Sequence, residues 1–445
     1  MLAYKNIYLL GIGGIGMSGL ARYFKAQGRQ VAGYDRVRSP LCHTLEKEGL
    51  KLHYSDDPQL IPTQWEADNT LVIYTPAIPS DLAELKHLSE RGFRIEKRSA
   101  VLGAIAAAHR TLAVAGTHGK TTTSAMLGHL MRAGGLSSTA FLGGISVNYQ
   151  TNFWSEENSR FLIAEADEFD RSFETLHPWG AAITAVDADH LDVYGSAEAL
   201  REAFAAFAET VQGPLLIREG LPIKGGIRYG FRQDSPYHAR RIRIENHAYY
   251  FDLHYPGGVL PAVRCGLPGR YNVENALAAA ALALQAGLSP GAVKAGLASF
   301  QGVRRRFEYH VDRPETVYID DYAHHPRELR ALAESVRELY PHRRLTAVFQ
   351  PHLYSRTRDF MDGFAEALRH FDQLYLLNIY PARERPIPGI TSEALLARIP
   401  IEKKALVERE ELLHTLQKKP PELLLTIGAG DIDQLVQPIK MALSR

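Results

Sequence analysis

Two glycine-bearing loops in this chain carry residue types suited to binding phosphate. The first is Gly11-Ile12-Gly13-Gly14-Ile15-Gly16, with Asp35 nineteen residues beyond Gly16. Glycines there let backbone N–H groups approach a pyrophosphate at the positive end of a helix. Asp35 could accept hydrogen bonds from a ribose or sugar hydroxyl. The pattern suits NAD, FAD or a nucleotide sugar equally, and a tight turn that merely packs well is the bland alternative. The second loop is Ala115-Gly116-Thr117-His118-Gly119-Lys120-Thr121-Thr122-Thr123. It departs from G-x-x-x-x-G-K-[ST], because Val114 stands where the first glycine would be. The working parts survive: Gly119 for a tight backbone, Lys120 as a point charge for β- and γ-phosphates, and the Thr121 hydroxyl for Mg²⁺. A lysine at a helix start opposes the helix dipole unless an anion neutralises it. A dehydrogenase needs only the first loop and a plain NTPase only the second. Together they point to one nucleotide-linked substrate plus ATP.

Carboxylates and histidines follow other strand ends. Glu165-Ala-Asp167-Glu168-Phe169-Asp170 places four carboxylates within six residues, a repulsive cluster unless cations or solvent relieve it. Val186-Asp187-Ala188-Asp189-His190 ends another strand. Mg²⁺ takes few protein ligands and keeps waters and phosphate oxygens, so Thr121, Glu165 and His190 would suffice. Zinc fits poorly, since no H-E-x-x-H or cysteine pair is present. Further on, Asp320-Asp321-Tyr322-Ala323-His324-His325-Pro326 and Gln350-Pro351-His352-Leu353-Tyr354-Ser355-Arg356-Thr357 each follow a strand. Arg356 could hold a carboxylate or phosphate in bidentate fashion. Asn272 and Asn275 open an alanine-rich helix; amides can read an adenine edge, and Asn272 could equally be an N-cap.

The elements that must position these groups alternate strand and helix. Strands are expected at Ile7–Leu10, Gln30–Tyr34, Leu71–Tyr74, Thr111–Ala115, Phe161–Ala166 and Ala181–Val186. Helices are expected at Met17–Gln27, at Val101–Ala108 and from Thr121. Such alternation makes doubly wound, mostly parallel sheets. From Ile227 to about Val263 alternating aromatics suggest a small antiparallel insertion. A new αβ series begins after Arg313-Pro314, with strands near Val317–Ile319, Leu345–Phe349, Leu374–Leu377 and Leu423–Ile427. Boundaries near 100 and 312 give an α/β chain of three domains, 1–100, 101–312 and 313–445. The first and last are expected to be Rossmann-like, and the middle one a P-loop-type ATPase.

Composition agrees. The chain has 445 residues, too many for one core, and 45% are hydrophobic, ample for several. Lys plus Arg number 51 against 50 Asp plus Glu, which argues against a globally basic nucleic-acid binder. Two cysteines cannot build a disulfide scaffold, and their scarcity fits a reducing compartment. No apolar run is long enough for a membrane span, and the apolar N-terminus reads as strand, glycine turn and helix rather than a signal peptide. A cytoplasmic monomer or homodimer, with no nucleic-acid or membrane partner, is the expectation.

The ordered set GIGGIGMSG, GTHGKTTT, EADE-x-D, DADHLDVY, GRYNVENA, GVRRRFE, DDYAHHP and FQPHLYSRT, spanning residues 7 to about 357, resembles the Mur ligase family, which makes the peptidoglycan stem peptide. GIGGIGMSG, EADE-x-D and DDYAHHP are most similar to the branch that adds L-alanine to UDP-N-acetylmuramate. The resemblance implies a nucleotide-sugar domain, a central ATPase and a C-terminal amino-acid domain. It also implies a reaction in which ATP phosphorylates the lactyl carboxylate and the alanine amine attacks the acyl phosphate. By motif, Gly116, Thr117, His118, Gly119, Lys120, Thr121 and Thr122 would cradle ATP, with Asn272 and Asn275 at adenine, and Arg305 and Asp321 nearby. Thr121, Glu165 and His190 would hold Mg²⁺. Gly13, Gly14, Ile15, Gly16, Asp35 and His118 would face the UDP-sugar. Tyr322, His324 and Arg356 would lie near alanine, with His324 as a candidate proton acceptor. Lys120, His190, His324 and Arg356 are thus the expected catalytic set.

Some positions depart from the family pattern. Phe169 replaces a small polar residue, Ala323 a glycine, and Leu353 an arginine common among members. No lysine occurs from Leu191 to Pro222, where sibling ligases carry a carbamylated one, which favours the alanine-adding branch. The competing readings are a ligase that adds a preformed murein peptide to UDP-N-acetylmuramate, an NAD(P)-dependent oxidoreductase, and a nucleotide-regulated binding protein without chemistry.

Overall fold

The computed structural model describes residues 4–169, 172–187, 191–382 and 384–444. They divide into two units. One comprises Met1–Arg241, Phe251–Arg264 and Glu274–Gln301, the other Ile242–Tyr250, Cys265–Val273 and Gly302–Arg445.

The first sheet uses β1 (Asn6–Leu10), β2 (Gln30–Tyr34), β3 (Lys51–His53), β4 (Thr70–Tyr74) and β5 (Arg94–Lys97) in the order β3-β2-β1-β4-β5. All its pairings are parallel. Every residue of β1 is buried, as expected of a central strand covered on both faces. Strand order reverses at β1, so its carboxyl end opens a crevice, and Gly11–Gly16 begins there.

The second sheet has ten strands: β6 (Arg110–Ala115), β7 (Ser138–Ser146), β8 (Thr151–Ser155), β9 (Phe161–Ala166), β10 (Gly180–Ile183), β11 (Leu215–Arg218), β12 (Ile227–Gly230), β13 (Tyr237–Glu245), β14 (Ala248–Tyr255) and β15 (Gly258–Cys265). Their order is β15-β14-β13-β12-β11-β10-β6-β9-β7-β8. β6 lies between β9 and β10, parallel to both, and order reverses there too. The second glycine loop springs from its carboxyl end. Two sequence expectations need correction. β12 pairs in parallel with both β11 and β13, so the expected antiparallel insertion is continuous with the main sheet, and only the later strands, joined by two-residue connections, can form a meander. β10 stops at Ile183 rather than Val186, because Thr184 turns aside to donate its hydroxyl to the carbonyls of Ala115 and His118.

In the same unit, the helix Ile15–Ala26 that follows the first loop is tied to the second sheet. Asn152 on β8 is fully buried and donates to the Ile15 carbonyl at 2.6 Å and the Ser18 hydroxyl at 3.0 Å. Its oxygen accepts from Arg22. Tyr23, Phe141 and Phe153 pack around this junction, ring centroids 5.1 to 6.2 Å apart. A buried amide satisfied on both ends fixes orientation as well as contact.

The other unit carries β16 (Glu308–Asp312), β17 (Val317–Asp321), β18 (Leu345–Phe349), β19 (Gln373–Leu376), β20 (Lys404–Leu406) and β21 (Leu423–Ile427), ordered β16-β17-β21-β18-β19-β20. Only β16 runs antiparallel. The adjacent strands β17, β21 and β18 are fully buried. Their carboxyl ends therefore deliver Asp321–His325, Gly428–Asp431 and Gln350–Arg356 side by side.

Candidate active site

The second loop has the backbone its sequence asks for. Gly116 and Gly119 both take positive φ, 139° and 84°. A Cβ on Gly116 would lie 2.2 Å from the Thr184 hydroxyl, and one on Gly119 2.7 Å from the Asn275 side-chain oxygen. The helix begins at Lys120. Thr117 accepts from the Asp187 amide at 3.0 Å, and His118 lies 3.5 Å from the Asp187 carboxylate. Thr122 is buried in the helix's first turn. Asn275 accepts from Thr123 at 3.2 Å.

The acidic cluster separates into distinct jobs. Glu165 accepts from the Thr121 hydroxyl at 3.2 Å, from Ser124 at 3.1 Å and from the Gly143 amide at 2.6 Å. Burial pushes its carboxyl above the ordinary range, against the pull of Lys120. Glu168, wholly buried, takes the Lys120 ammonium on both oxygens at 2.9 and 2.7 Å, and the Gly116 carbonyl accepts from the same ammonium at 2.7 Å. Burial alone would lower Lys120, but Glu168, Asp167 and Glu165 outweigh it and hold the ammonium charged well above its ordinary range. Phe169 is exposed, so this departure from the family pattern leaves the three carboxylates in place. Thr121 and Glu165 offer two hard oxygens beside an open glycine backbone, a donor set that fits Mg²⁺ with a polyphosphate. His190, Asp189 and Asp170 lie outside the described residues.

At the first loop, Gly11 takes φ 86° and Gly14 caps the helix that starts at Ile15. The Asp35 carboxylate accepts from the Gly13 amide at 2.8 Å and from the Val37 amide at 3.1 Å. It therefore braces the loop. The loop contains no cation, but Arg98, the first residue of the helix Arg98–Ala106, rests against Gly16: a Cβ there would meet its guanidinium at 2.6 Å.

In the other unit, Asp321 accepts from the Phe307 and Ala323 amides, each at 2.8 Å, and burial raises its carboxyl to about 6. Arg305 donates to Asp320 at 3.2 Å and to the Gly428 carbonyl at 2.6 Å. The Tyr322 ring lies beneath Arg305 and Arg306, at 5.2 and 4.8 Å. His325 caps the helix Pro326–Leu339 in a capping box with Glu328. His324 Nδ1 is 3.0 Å from the Tyr322 carbonyl. A carbonyl only accepts, so Nδ1 carries the proton and Nε2 keeps its lone pair. Burial, aided by Arg356, lowers His324 to about 3. The His324 and His352 rings are 6.3 Å apart, His352 stacks on Tyr380, and Arg356 lies 3.4 Å from His352 Nδ1. Leu353 adopts φ 71°, a costly conformation for a leucine. Asn272 is not an N-cap; it sits inside the helix Arg270–Gln285 and donates to the Pro268 carbonyl at 2.6 Å.

Residues 6–110 match the Mur ligase family catalytic domain, residues 114–283 the Mur ligase middle domain, and residues 305–430 the Mur ligase glutamate ligase domain. The chain belongs to the Mur ligase family. It is 47% identical, over 99% of its length and 98% of the relative's, to a UDP-N-acetylmuramate–L-alanine ligase of Flavobacterium johnsoniae. A protein of the same name from Porphyromonas gingivalis is 46% identical over 99% of both chains. Among solved structures, the UDP-N-acetylmuramate-alanine ligase MurC of Thermotoga maritima superposes with a TM-score of 0.83 at 27% identity over 99% of both chains. A murein peptide ligase from Psychrobacter arcticus shares the Mur ligase fold, with a TM-score of 0.71 at 21% identity over 99% of both chains. No helix among the described residues of this Mur ligase is long and apolar enough to cross a membrane.

Sequence reasoning missed Glu168 as the partner of Lys120, Arg98 at the first loop, Thr184 as the brace of the second, and His352 beside His324. Of these, Glu168 and His352 stood in motifs already singled out; Arg98 and Thr184 depend on which strands become neighbours.

Proposed function

We propose that the chain is an ATP-dependent acid–amino-acid ligase that joins L-alanine to the lactyl carboxylate of UDP-N-acetylmuramate, in peptidoglycan precursor synthesis. The observation that carries the chemistry is the second loop, where Lys120 and the Thr121–Glu165 pair flank glycines that admit no side chain. The near full-length relatives carry the choice of substrates.

A carboxylate is a poor electrophile. A lactyl oxygen attacks the γ-phosphorus, the bond to the β-γ bridging oxygen breaks, and ADP leaves an acyl phosphate. The transferring group carries spread negative charge, so the protein contributes mainly position and fixed cations. Lys120 supplies that charge and the loop amides supply donors. Thr121 and Glu165 would hold Mg²⁺, which neutralises phosphate charge when bound. The alanine nitrogen attacks the acyl carbon and phosphate departs with the C–O bonding pair. An α-ammonium has a pKa near 8, so it must lose a proton first. Burial depresses the basicity of His324, which favours solvent or phosphate as the final acceptor. Its Nε2 lone pair orients the ammonium by accepting a hydrogen bond, and the proton passes to solvent or to phosphate. In this reading Arg356 would pair with alanine's carboxylate, and Gly13–Gly16 with Arg98 would hold the diphosphate of the sugar nucleotide.

Phosphate release that requires ATP, UDP-N-acetylmuramate and L-alanine together tests this reading. Release without an acceptor amino acid points to a plain NTPase. Preference for a murein tripeptide over alanine gives the specificity to the peptide-adding branch, and saturable NADH binding favours the oxidoreductase alternative.

A further inference from the structure

β16 and β17 carry a cluster that the ligase chemistry does not use. Glu308 and Asp320 are register partners across this antiparallel pair, and the ladder slips between Tyr309 and Val311. His310 is therefore the extra residue of a bulge, a device that re-aims a side chain and is over-represented beside functional sites. Its Nε2 is buried and has no hydrogen-bond partner among the described residues. Its side chain is only 9% exposed, and Nε2 lies 3.7 Å from Glu308 Oε2. The Tyr318 ring, 5.3 Å away, fixes the imidazole in place. A buried ring nitrogen without a partner has given up water for nothing in return, which makes it a group waiting for a ligand.

We propose that Glu308, His310 and Asp320 form a binding site for a divalent transition-metal ion. One donor atom from each lies within 4.8 Å of the other two. A cation at their centre is within about 2.8 Å of each, and movements of about 0.7 Å bring all three to bonding distance. One imidazole and two carboxylates suit Zn²⁺, Co²⁺ or Mn²⁺, whereas an all-oxygen set would favour Mg²⁺. Burial keeps His310 below its ordinary basicity against the opposing pull of Glu308 and Asp320, which favours the neutral ring that a ligand must present.

Asp320 already has partners: Thr426 donates to one oxygen at 2.6 Å and Arg305 to the other at 3.2 Å. Glu308 accepts from the Arg305 amide at 2.8 Å. A bound cation must share Asp320 with the Arg305 guanidinium, so occupation of the site loosens that ion pair.

The test is a Co²⁺ titration of the full chain, stripped with chelator and held in excess Mg²⁺ to fill oxygen-rich sites, read by visible absorption. We expect an equimolar ligand-field band in the wild type, accompanied by a rise in Tm, and neither in His310→Gln. Glu308→Gln serves as the second variant and should weaken the band at least about tenfold. The absence of any band in the wild type overturns the proposal. So does a band that survives both substitutions in chains whose melting without metal matches the wild type.

Discussion

The two glycine loops of the first unit share one plan, a buried central strand, a turn without side chains and a helix, yet they treat their anion differently. The second loop holds its cation within itself. Lys120 is desolvated and gripped by Glu168, so its charge is aimed before any ligand arrives. The first loop has no cation of its own and borrows Arg98 from a helix that starts more than eighty residues later. The neighbouring carboxylate, Asp35, is occupied with two backbone amides, one of them Gly13 of the loop. A fixed, compensated charge serves a transition state, where position matters most. A borrowed guanidinium serves binding, where a bidentate grip on phosphate is enough. The comparison teaches that one fold motif yields a chemical site or a holding site according to where its cation is rooted.

The largest effect should come from Lys120→Ala. Turnover is expected to fall about a hundred- to thousandfold, with the circular dichroism of a folded chain and a Tm lowered because Glu168 loses its buried partner. A variant that keeps more than about a tenth of the rate would place the chemical charge elsewhere. Glu165→Gln comes next. The substitution keeps the shape but not the charge facing Thr121, Ser124 and Gly143. Turnover should drop about ten- to hundredfold, and the Mg²⁺ concentration for half-maximal rate should rise. An unchanged Mg²⁺ requirement would make Glu165 a brace for the loop rather than a metal ligand.

How much of this contrast was legible in the sequence follows burial. β1, β6, β9, β18 and β21 are central strands, so their sequences are near-continuous apolar runs, and each stands out with boundaries within a residue. Both glycine loops could be read for the same reason, since a loop is found once its strand is found. β3, β5 and β20 are short, half-buried edge strands with little pattern to find. The hairpin of β7 and β8 was hidden by small and polar residues such as Ser138, Thr139 and Asn152, buried against partners distant in sequence, Ser155 across the hairpin for Thr139 and the helix Ile15–Ala26 for Asn152. The same limit explains the site residues that were missed. Arg98 and Gly16 meet only because β5 lies beside β4 and β4 beside β1, an order no local spacing encodes. Glu168 was visible as one of four carboxylates, and the motif that assigns Glu165 to Mg²⁺ gives Glu168 no task. Three-dimensional pairing assigns one to the ammonium and the other to the hydroxyl.

Arg98→Ala probes the borrowed cation. The KM for UDP-N-acetylmuramate should rise about tenfold, one charge-assisted contact, while kcat and the KM for ATP stay within about twofold. If kcat falls instead and KM holds, Arg98 acts on the reacting groups and the division of labour between the loops fails.

The finest discrimination comes from Asp35→Asn. The sequence pattern assigns this carboxylate to a ligand hydroxyl, whereas the structure shows both its oxygens accepting from backbone amides, Gly13 of the glycine loop at 2.8 Å and Val37 of its own turn at 3.1 Å. Asparagine keeps one acceptor and turns a donor toward the other amide. One bond is lost, worth about 1 kcal/mol, so the KM for the sugar nucleotide should rise only about fivefold, with a matching loss of thermal stability in the free protein. A hydroxyl reader behaves differently. Its substitution leaves the free protein's stability alone and discriminates sharply between the intact ligand and its deoxy analogue, because only the bound state loses a partner. Measuring Tm without ligand beside KM for both sugars separates the two. Unchanged Tm with a large, hydroxyl-dependent KM effect would show that Asp35 leaves the Gly13 amide when substrate arrives, and the first loop would then be a rearranging site rather than a preformed cradle.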